Sequence, residues 1–451
     1  MTTSTITEDE TSVSPPTASM FAAPDPDVNQ STFERNETIE PILSFGLITD
    51  IHYADHDDRW NHVQTHLRRY RNSANLVDEA CHYWLNGKYP ISFVLQLGDL
   101  IDGVCSTNKT SGSDLNVILE QFKKTLNSLP VYHIWGNHEL YNFTRQELLN
   151  GPLCSFDTKT SSPAHYGTFE VCPNLRIIAL DTYEFSALGV GNDSEVYGQS
   201  MELLRKHNQN ESPNDPTGLR GHQRRYVQFN GGITSKQINW LKEQLTEAKN
   251  RDEKVIVIGH IPIHPSACDH LDLLWNYKEV LDLLWIFDRT VLAYIAGHDH
   301  DGGYFRDRKN IHHLTLPAIV ECDPNTNSFA TVHVYKDCLL IEGVGRIATY
   351  KIDCQFFFYL IETMRLYNRV VLMHRKQIWQ PWMSQGRSVL NYSMEHIPHV
   401  VLGIPFAVFF MVVIASKEIY KANAYQFNVY KRRLMIRRPE DIPTEYRPFC
   451  S

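Results

Sequence analysis

The apolar positions fall into short runs that end abruptly on polar residues. Residues 43–49 form one such run and stop at Asp50; residues 91–97 stop at Gly98-Asp99, and 131–135 at Gly136-Asn137-His138-Glu139. Residues 175–180 stop at Asp181, 255–258 at Gly259-His260, and 291–296 at Gly297-His298. Short apolar runs bounded by glycine or acid read as buried strands. Helical spacing fills the gaps between them. Over 59–87 one stripe carries Val63, Leu67, Tyr70, Ala74, Val77, Ala80 and Trp84, with Gly87 as the stop. Residues 115–129, ended by Pro130, 234–249 and 271–287 are also spaced as helices. Shorter strand candidates follow at 313–320, 330–335 and 339–343, while 188–232 lacks a clear period and reads as a long insertion. Strand–helix alternation followed by a run of strands predicts an α/β sandwich.

Composition narrows the function classes. The chain has 451 residues, 42% hydrophobic and 21% charged, enough to bury a sizeable core. Charge is unevenly spread. Residues 364–451 hold 13 Lys/Arg against 5 Asp/Glu, a net of +8 within a total of −9, which leaves −17 for the rest. An acidic body without a basic face argues against nucleic acid as a partner. The nine cysteines are scattered, odd in number and contain no Cys-x-x-Cys pair, which favours a reducing compartment and a cytoplasmic catalytic unit. Residues 1–40, rich in Ser, Thr, Pro and acids and lacking an apolar signal core, read as a disordered leader.

The chemistry gathers where the apolar runs stop. Asp50-Ile51-His52, Gly98-Asp99-Leu100-Ile101-Asp102, Gly136-Asn137-His138-Glu139, Gly259-His260 and Gly297-His298-Asp299-His300 each deliver oxygen or imidazole donors from a strand-to-loop turn. Carboxylate, imidazole and one amide suit Mn²⁺, Fe or Zn²⁺, and the lack of thiolate argues against an iron–sulfur or structural zinc site. Asp50, His52, Asp99, Asn137, His260, His298 and His300 are too many for one four-coordinate ion. They suit two ions sharing a carboxylate, a pair that can activate a water and clamp a phosphoryl oxygen.

In their order these five stretches resemble the signature of the calcineurin-like metallophosphoesterase superfamily. More narrowly, the chain is similar to the manganese-dependent ADP-ribose/CDP-alcohol diphosphatases. The narrower likeness rests on longer runs: Asp50-Ile-His-Tyr-Ala-Asp55, Val94-Leu-Gln-Leu-Gly-Asp99, Trp135-Gly-Asn-His-Glu-Leu-Tyr-Asn-Phe143, Phe229-Asn-Gly-Gly232, Trp275-Asn-Tyr277 and Gly297-His-Asp-His-Asp-Gly-Gly-Tyr304. It covers roughly residues 43–346 and implies a metallophosphoesterase-type β-sandwich flanked by helices. It also implies two divalent ions, Mn first, with Fe or Zn as alternatives. The first ion would be held by Asp50, His52, Asp99 and His300, the second by Asp99, Asn137, His260 and His298, with Asp99 bridging. His138 would steady the phosphoryl group or protonate the leaving group. The implied reaction is hydrolysis of a phosphoanhydride in a small nucleotide-type substrate, ADP-ribose or a CDP-alcohol such as CDP-choline.

Two departures stand out: some members carry Gln where His52 stands, and Asp299 often has a small hydroxyl residue in its place. Asp102 reads as a partner that orients a ligand. His264, Asp181, Tyr141, Asn142 and Tyr304 are each divided between pocket lining and plain structure. Two other functions stay open: another metal-dependent phosphomonoesterase or phosphodiesterase, and a non-catalytic binding module on the same fold. The complete ligand set weighs against the module.

The expected organisation is therefore a leader at 1–40, a metallophosphoesterase domain at 41–350, and a basic helical extension at 351–451. Within the extension, 400–416 is a run of 17 residues without charge, a candidate membrane helix at the short edge of the spanning range. One Lys/Arg precedes it in 380–399 and five follow in 417–436, which by the positive-inside rule places the carboxy terminus in the cytosol or a mitochondrial matrix. A single span would then put the catalytic domain in a lumen, against the absence of a signal. An interfacial helix, a failure of the charge rule, or a fused or misjoined membrane segment from 364 onward would each resolve the conflict. The last is favoured.

Overall fold

In the computed structural model, residues 40–61, 64–156 and 164–354 are described. The expected leader, the carboxy-terminal extension and the candidate membrane segment 400–416 lie outside them. Among the described residues no helix is long and apolar enough to cross a membrane.

The chain opens with β1 (Leu43–Ile48), a small hairpin of β2 (Arg59–Trp60) and β3 (Leu67–Arg68), then α1 (Asn72–Asn86). It continues through β4 (Ile91–Gln96), α2 (Val104–Asn108), α3 (Ser111–Leu126), β5 (Val131–His133), α4 (Asn137–Asn142), α5 (Arg145–Asn150), β6 (Gly167–Cys172) and β7 (Leu175–Ala179). Next come α6 (Glu195–His207), α7 (Ser235–Asn250), β8 (Lys254–Ile258), α8 (Tyr277–Ile286) and β9 (Val291–Ala296). The chain closes with β10 (Gly303–Arg306), β11 (His312–Thr315), β12 (Ser328–Val334), β13 (Cys338–Gly345) and β14 (Tyr350–Asp353).

Two six-stranded sheets result, ordered β14-β13-β12-β1-β4-β5 and β10-β11-β9-β8-β7-β6. In the first, β1, β4 and β5 run parallel. In the second, β7, β8, β9 and β11 do. Both faces of each sheet are covered, which is why the runs read as continuously apolar. Along β1, Phe45 and Leu47 enter the core between the sheets with Leu95, Ile177, Ile256 and Ile295. Ile48 points the other way, into the layer formed with Val77, Ala80, Trp84 and Ile118. Gly46 is required there, because an added Cβ would stand 2.7 Å from the Trp84 ring. The expected α/β sandwich flanked by helices is thus observed.

Three local expectations are corrected. The helix expected over 59–87 begins only at Asn72. The hairpin replaces its first half because Asn61 closes the turn, accepting the Thr65 N–H at 2.8 Å and donating to the Thr65 hydroxyl at 2.9 Å. The helix expected over 271–287 begins only at Tyr277. Residues before it bond elsewhere: the Leu274 N–H donates to the Pro262 carbonyl and the Trp275 N–H to the Gly231 carbonyl. Within the insertion, α6 forms from a cap in which Ser194 accepts the Tyr197 N–H. Its buried side chains are only Ser200 and Leu204, so little periodicity was there to read.

Candidate active site

Every candidate ligand leaves the carboxyl end of a parallel strand. Asp50 and His52 follow β1, Asp99 follows β4, and Asn137 and His138 follow β5. His260 follows β8, and His298 and His300 follow β9. The crevice therefore draws on both sheets at once, where α/β folds build their sites. The local backbone is contorted to achieve this. Asp50, His52, Asp99 and His298 all adopt positive φ, at 50°, 45°, 58° and 72°. Such values are uncommon outside glycine and collect at functional sites. Gly136 and Gly297 allow the loops to touch: a Cβ at the first would strike the Asp99 carboxylate, and at the second the Asp50 carboxylate and the Thr49 hydroxyl.

The eight expected site residues come together, and the histidine tautomers follow from their partners. His52 Nδ1 lies 3.2 Å from the Asp102 carboxylate and His300 Nδ1 2.8 Å from the Glu321 carboxylate. His260 Nδ1 lies 2.7 Å from the Leu97 carbonyl. Those acceptors place a proton on Nδ1 and turn Nε2 inward, toward a further proton or a cation, in all three rings. His52 Nε2 and His300 Nε2 then face each other at 3.1 Å, a contact that needs a proton or a cation between them. His260 Nε2 is buried with no hydrogen-bond partner. Asp50 Oδ1 stands 3.6 Å from His52 Nε2 and 3.7 Å from His300 Nε2. Asp99 Oδ2 stands 3.4 Å from His52 Nε2 and 3.4 Å from His260 Nε2.

These separations fit a cation. Ligands about 2.1 Å from a common ion lie roughly 3.0–3.6 Å from one another. The donor groups accordingly sort into Asp50, His52 and His300 on one side and Asp99, His260 and His298 on the other, with Asp99 reaching both. Charge agrees. Burial favours neutral His52, yet the bonds to Asp102 and Asp50 and the charge of Asp99 outweigh it and raise it to about 10. Burial likewise opposes charge on His260, but Asp99 and Asp50 carry it to about 9. Burial would raise Asp99, and His260, His138 and His52 instead hold it well below the ordinary carboxylate range. The cluster demands positive charge. Nitrogen and oxygen donors without sulfur suit Mn, Fe or Zn.

His138 is set apart. Its Nδ1 accepts the Gly103 N–H at 2.7 Å, so its proton sits on Nε2. Burial lowers it to about 4, only partly opposed by Asp99 and Asp102, which keeps the ring neutral. Its own N–H donates to Asp99 Oδ1 at 2.9 Å. His138 lines a cavity of about 790 Å³ with Arg68, Arg224, Phe229, Asp272 and Asp299. That volume suits a nucleotide-sized ligand.

Asp102 orients His52 through Nδ1 at 3.2 Å. Asp299, which departs from the family pattern, is buried and accepts the Asp269 and Asp301 N–H groups. Asp181 forms a buried pair with Arg145 at 2.8 Å, a structural role. His264 stacks on Phe305, and Tyr304 stacks on Tyr350. Tyr141 lines the cavity, whereas Asn142 ties the loops by donating to the His138 and Asp102 carbonyls.

Glu139, Tyr183, Asn230, Glu321 and Arg68 complete the site. Glu139 and Asn230 lie inside the Gly-Asn-His-Glu and Phe-Asn-Gly-Gly runs, so a local signal marks them; no such run marks Glu321.

A two-sheet sandwich whose strand ends converge on paired cation-binding groups sharing one carboxylate has the layout of a dimetal phosphohydrolase. The sequence profile of the calcineurin-like phosphoesterases matches residues 43–302, and the chain belongs to that family. It is 39% identical over 334 residues to the manganese-dependent ADP-ribose/CDP-alcohol diphosphatase of Bos taurus, spanning 72% of this chain and 96% of that protein. The enzyme of the same name from Mus musculus is 40% identical over 318 residues, spanning 68% and 92%. A solved dimetal phosphatase from Danio rerio is 37% identical with a TM-score of 0.66, covering 70% of this chain and 99% of that one.

Proposed function

We propose that the chain is a dimetal-dependent hydrolase of the phosphoanhydride in nucleoside diphosphate-linked compounds, acting on ADP-ribose and on CDP-alcohols such as CDP-choline. The reading is supported most by the facing Nε2 atoms of His52 and His300, 3.1 Å apart beside a carboxylate that also reaches His260. Asp50, His52, Asp99 and His300 would hold the first ion, and Asp99, Asn137, His260 and His298 the second. Manganese is the metal named for the relatives. When bound, such ions supply Lewis-acid charge and an acidified water for attack at phosphorus.

This chain's own groups do the rest. Asp99 is fixed by the His138 N–H, so its second oxygen is free to face both clusters. His138 offers a neutral Nε2–H to the cavity, suited to a developing charge on a phosphoryl or leaving oxygen. Arg68, braced 3.3 Å from Glu321 and 3.7 Å from Asp102, adds positive charge to the same wall. The catalytic unit corresponds to 41–350 in this reading and works in a reducing cytoplasm.

The test is a substrate panel with full-length protein and Mn²⁺. ADP-ribose should give AMP and ribose 5-phosphate, and CDP-choline should give CMP and phosphocholine. Turnover confined to cyclic nucleotides or a nitrophenyl ester would replace the diphosphatase with another phosphoesterase. No turnover with two ions bound would point to a binding module.

A further inference from the structure

The insertion ends at Phe229-Asn230-Gly231-Gly232, and this end touches the second cluster. Asn230 is fully buried. Its Nδ2 donates to the Arg225 carbonyl at 2.9 Å and the Leu271 carbonyl at 2.6 Å. Those bonds fix which way the amide points. Its Oδ1 therefore faces His298 Nε2, at 2.7 Å. An amide oxygen can only accept, so His298 carries its proton on Nε2 and keeps Nδ1 as the lone pair. One residue earlier, the Phe229 carbonyl lies 3.2 Å from the Tyr183 hydroxyl, which in turn lies 3.0 Å from Asn137 Oδ1. The insertion thus contacts His298 directly and Asn137 through one hydroxyl. The first cluster is braced from elsewhere, His52 by Asp102 and His300 by Glu321.

We propose that Asn230 is a positioning residue for the second ion: it locks His298 in the tautomer that can ligate and so sets that ion's affinity independently of the first. This rests on the reading that His298 and Asn137 hold the second ion. Partners that orient a ligating histidine typically govern metal affinity by about 10–100-fold. Glu321 and Asp102 would play the matching part for the first ion, which makes the two affinities separable.

The experiment is stepwise Mn²⁺ binding to full-length protein, by calorimetry, with the exchange-coupled Mn–Mn spectrum marking the second ion. Asn230→Ala should weaken the second ion by about 10–100-fold and leave the first unchanged. Asn230→Asp keeps an acceptor for His298 but sets its other oxygen against the Arg225, Leu271 and Leu273 carbonyls, so it should recover the second ion in part, binding it more tightly than Asn230→Ala does. The inference is overturned if Asn230→Ala binds both ions normally or loses both alike, or if Asn230→Asp is as defective as Asn230→Ala. His298→Ala is the control for the underlying reading. If it binds two ions with wild-type affinity, the ligand assignment fails; if it loses only the second ion while Asn230→Ala loses none, the role of Asn230 alone fails.

Discussion

Glu139 offers the sharpest test of how the site is held together. Its side chain is fully buried, and both oxygens are used: Oε2 accepts the Gly136 N–H at 2.7 Å and the Asp99 N–H at 2.8 Å, and Oε1 accepts the Leu100 N–H at 2.7 Å. Burial and the charge of Asp99 push this carboxyl up to about 7, while the three N–H groups oppose them. Three donors converging on two oxygens have no place for a carboxyl proton, so the ionised form is the one the loops are built around. Glu139→Gln keeps one oxygen for two of the donors and turns an NH₂ group against the third. One lost buried bond costs about 1–3 kcal/mol, so a loss of about 2 kcal/mol is expected. Glu139→Ala orphans all three donors and should cost about 5 kcal/mol, a large share of a stability of roughly 5–15 kcal/mol. The assay is urea unfolding of chelator-stripped protein, followed by Mn²⁺ titration of the folded fraction. If Glu139→Gln lies within 0.5 kcal/mol of wild type, about the scatter of an ordinary surface substitution, or if Ala costs no more than Gln, the carboxylate is not what joins the two loops.

Other outcomes follow from the same geometry. His138→Ala should lower kcat by about 10²–10⁴-fold while two Mn²⁺ still bind, because His138 donates from outside both clusters; loss of an ion by elemental analysis would instead make it a ligand. Asp99→Ala should abolish binding of both ions together, since its Oδ2 stands 3.4 Å from one histidine of each cluster, and retention of one tight ion would refute the bridge. Acid should destabilise the fold through His133, which burial lowers to about 4 from 6.5. The unfolded chain takes up that proton below about 6.5 and the folded chain only below about 4. Stability therefore falls as pH drops across that window, by up to about 3 kcal/mol for this group, and levels off below it. In His133→Gln the fall measured by urea unfolding should be shallower by that amount, and an unchanged slope would remove His133 as the cause.

The candidate site was far more legible than the connecting structure. Each ligand stands within four residues of the end of a parallel strand, so a run of β-forming residues and a local polar tag lay next to each other in the chain. What holds those ligands is long-range. Glu321 reaches His300 across 21 residues, Asn230 reaches His298 across 68, and Tyr183 reaches Asn137 across 46. No local pattern encodes such pairs. The misplaced helix start at 59–71 has a similar cause. Leu67 and Tyr70 kept helical spacing with α1, but the Asn61 turn and the pairing of Trp60 with Leu67 decided the local structure. Helix α6 was missed for the opposite reason, because it covers little core and needs little apolar stripe.

The backbone at the ligands leads to one more expectation, about stability rather than rate. Asp50, His52, Asp99 and His298 each hold a left-handed conformation, which costs a non-glycine residue about 1 kcal/mol or more. That strain does not serve folding, and summed over four residues it consumes several kcal/mol of a marginal total. Ions that bind the folded chain and not the unfolded one offset this by linkage, about 2.7 kcal/mol for each ion at a hundredfold excess over its dissociation constant. Mn²⁺ should therefore raise the unfolding temperature of the full chain by several degrees, and in two steps if the affinities differ. Asn137→Ala, which removes a proposed ligand of the second ion at a residue with ordinary backbone angles, should retain only the first step. A melting temperature indifferent to Mn²⁺ and chelator, in protein that still hydrolyses substrate, would mean that the strained loops are stable without cations and that their geometry needs another cause.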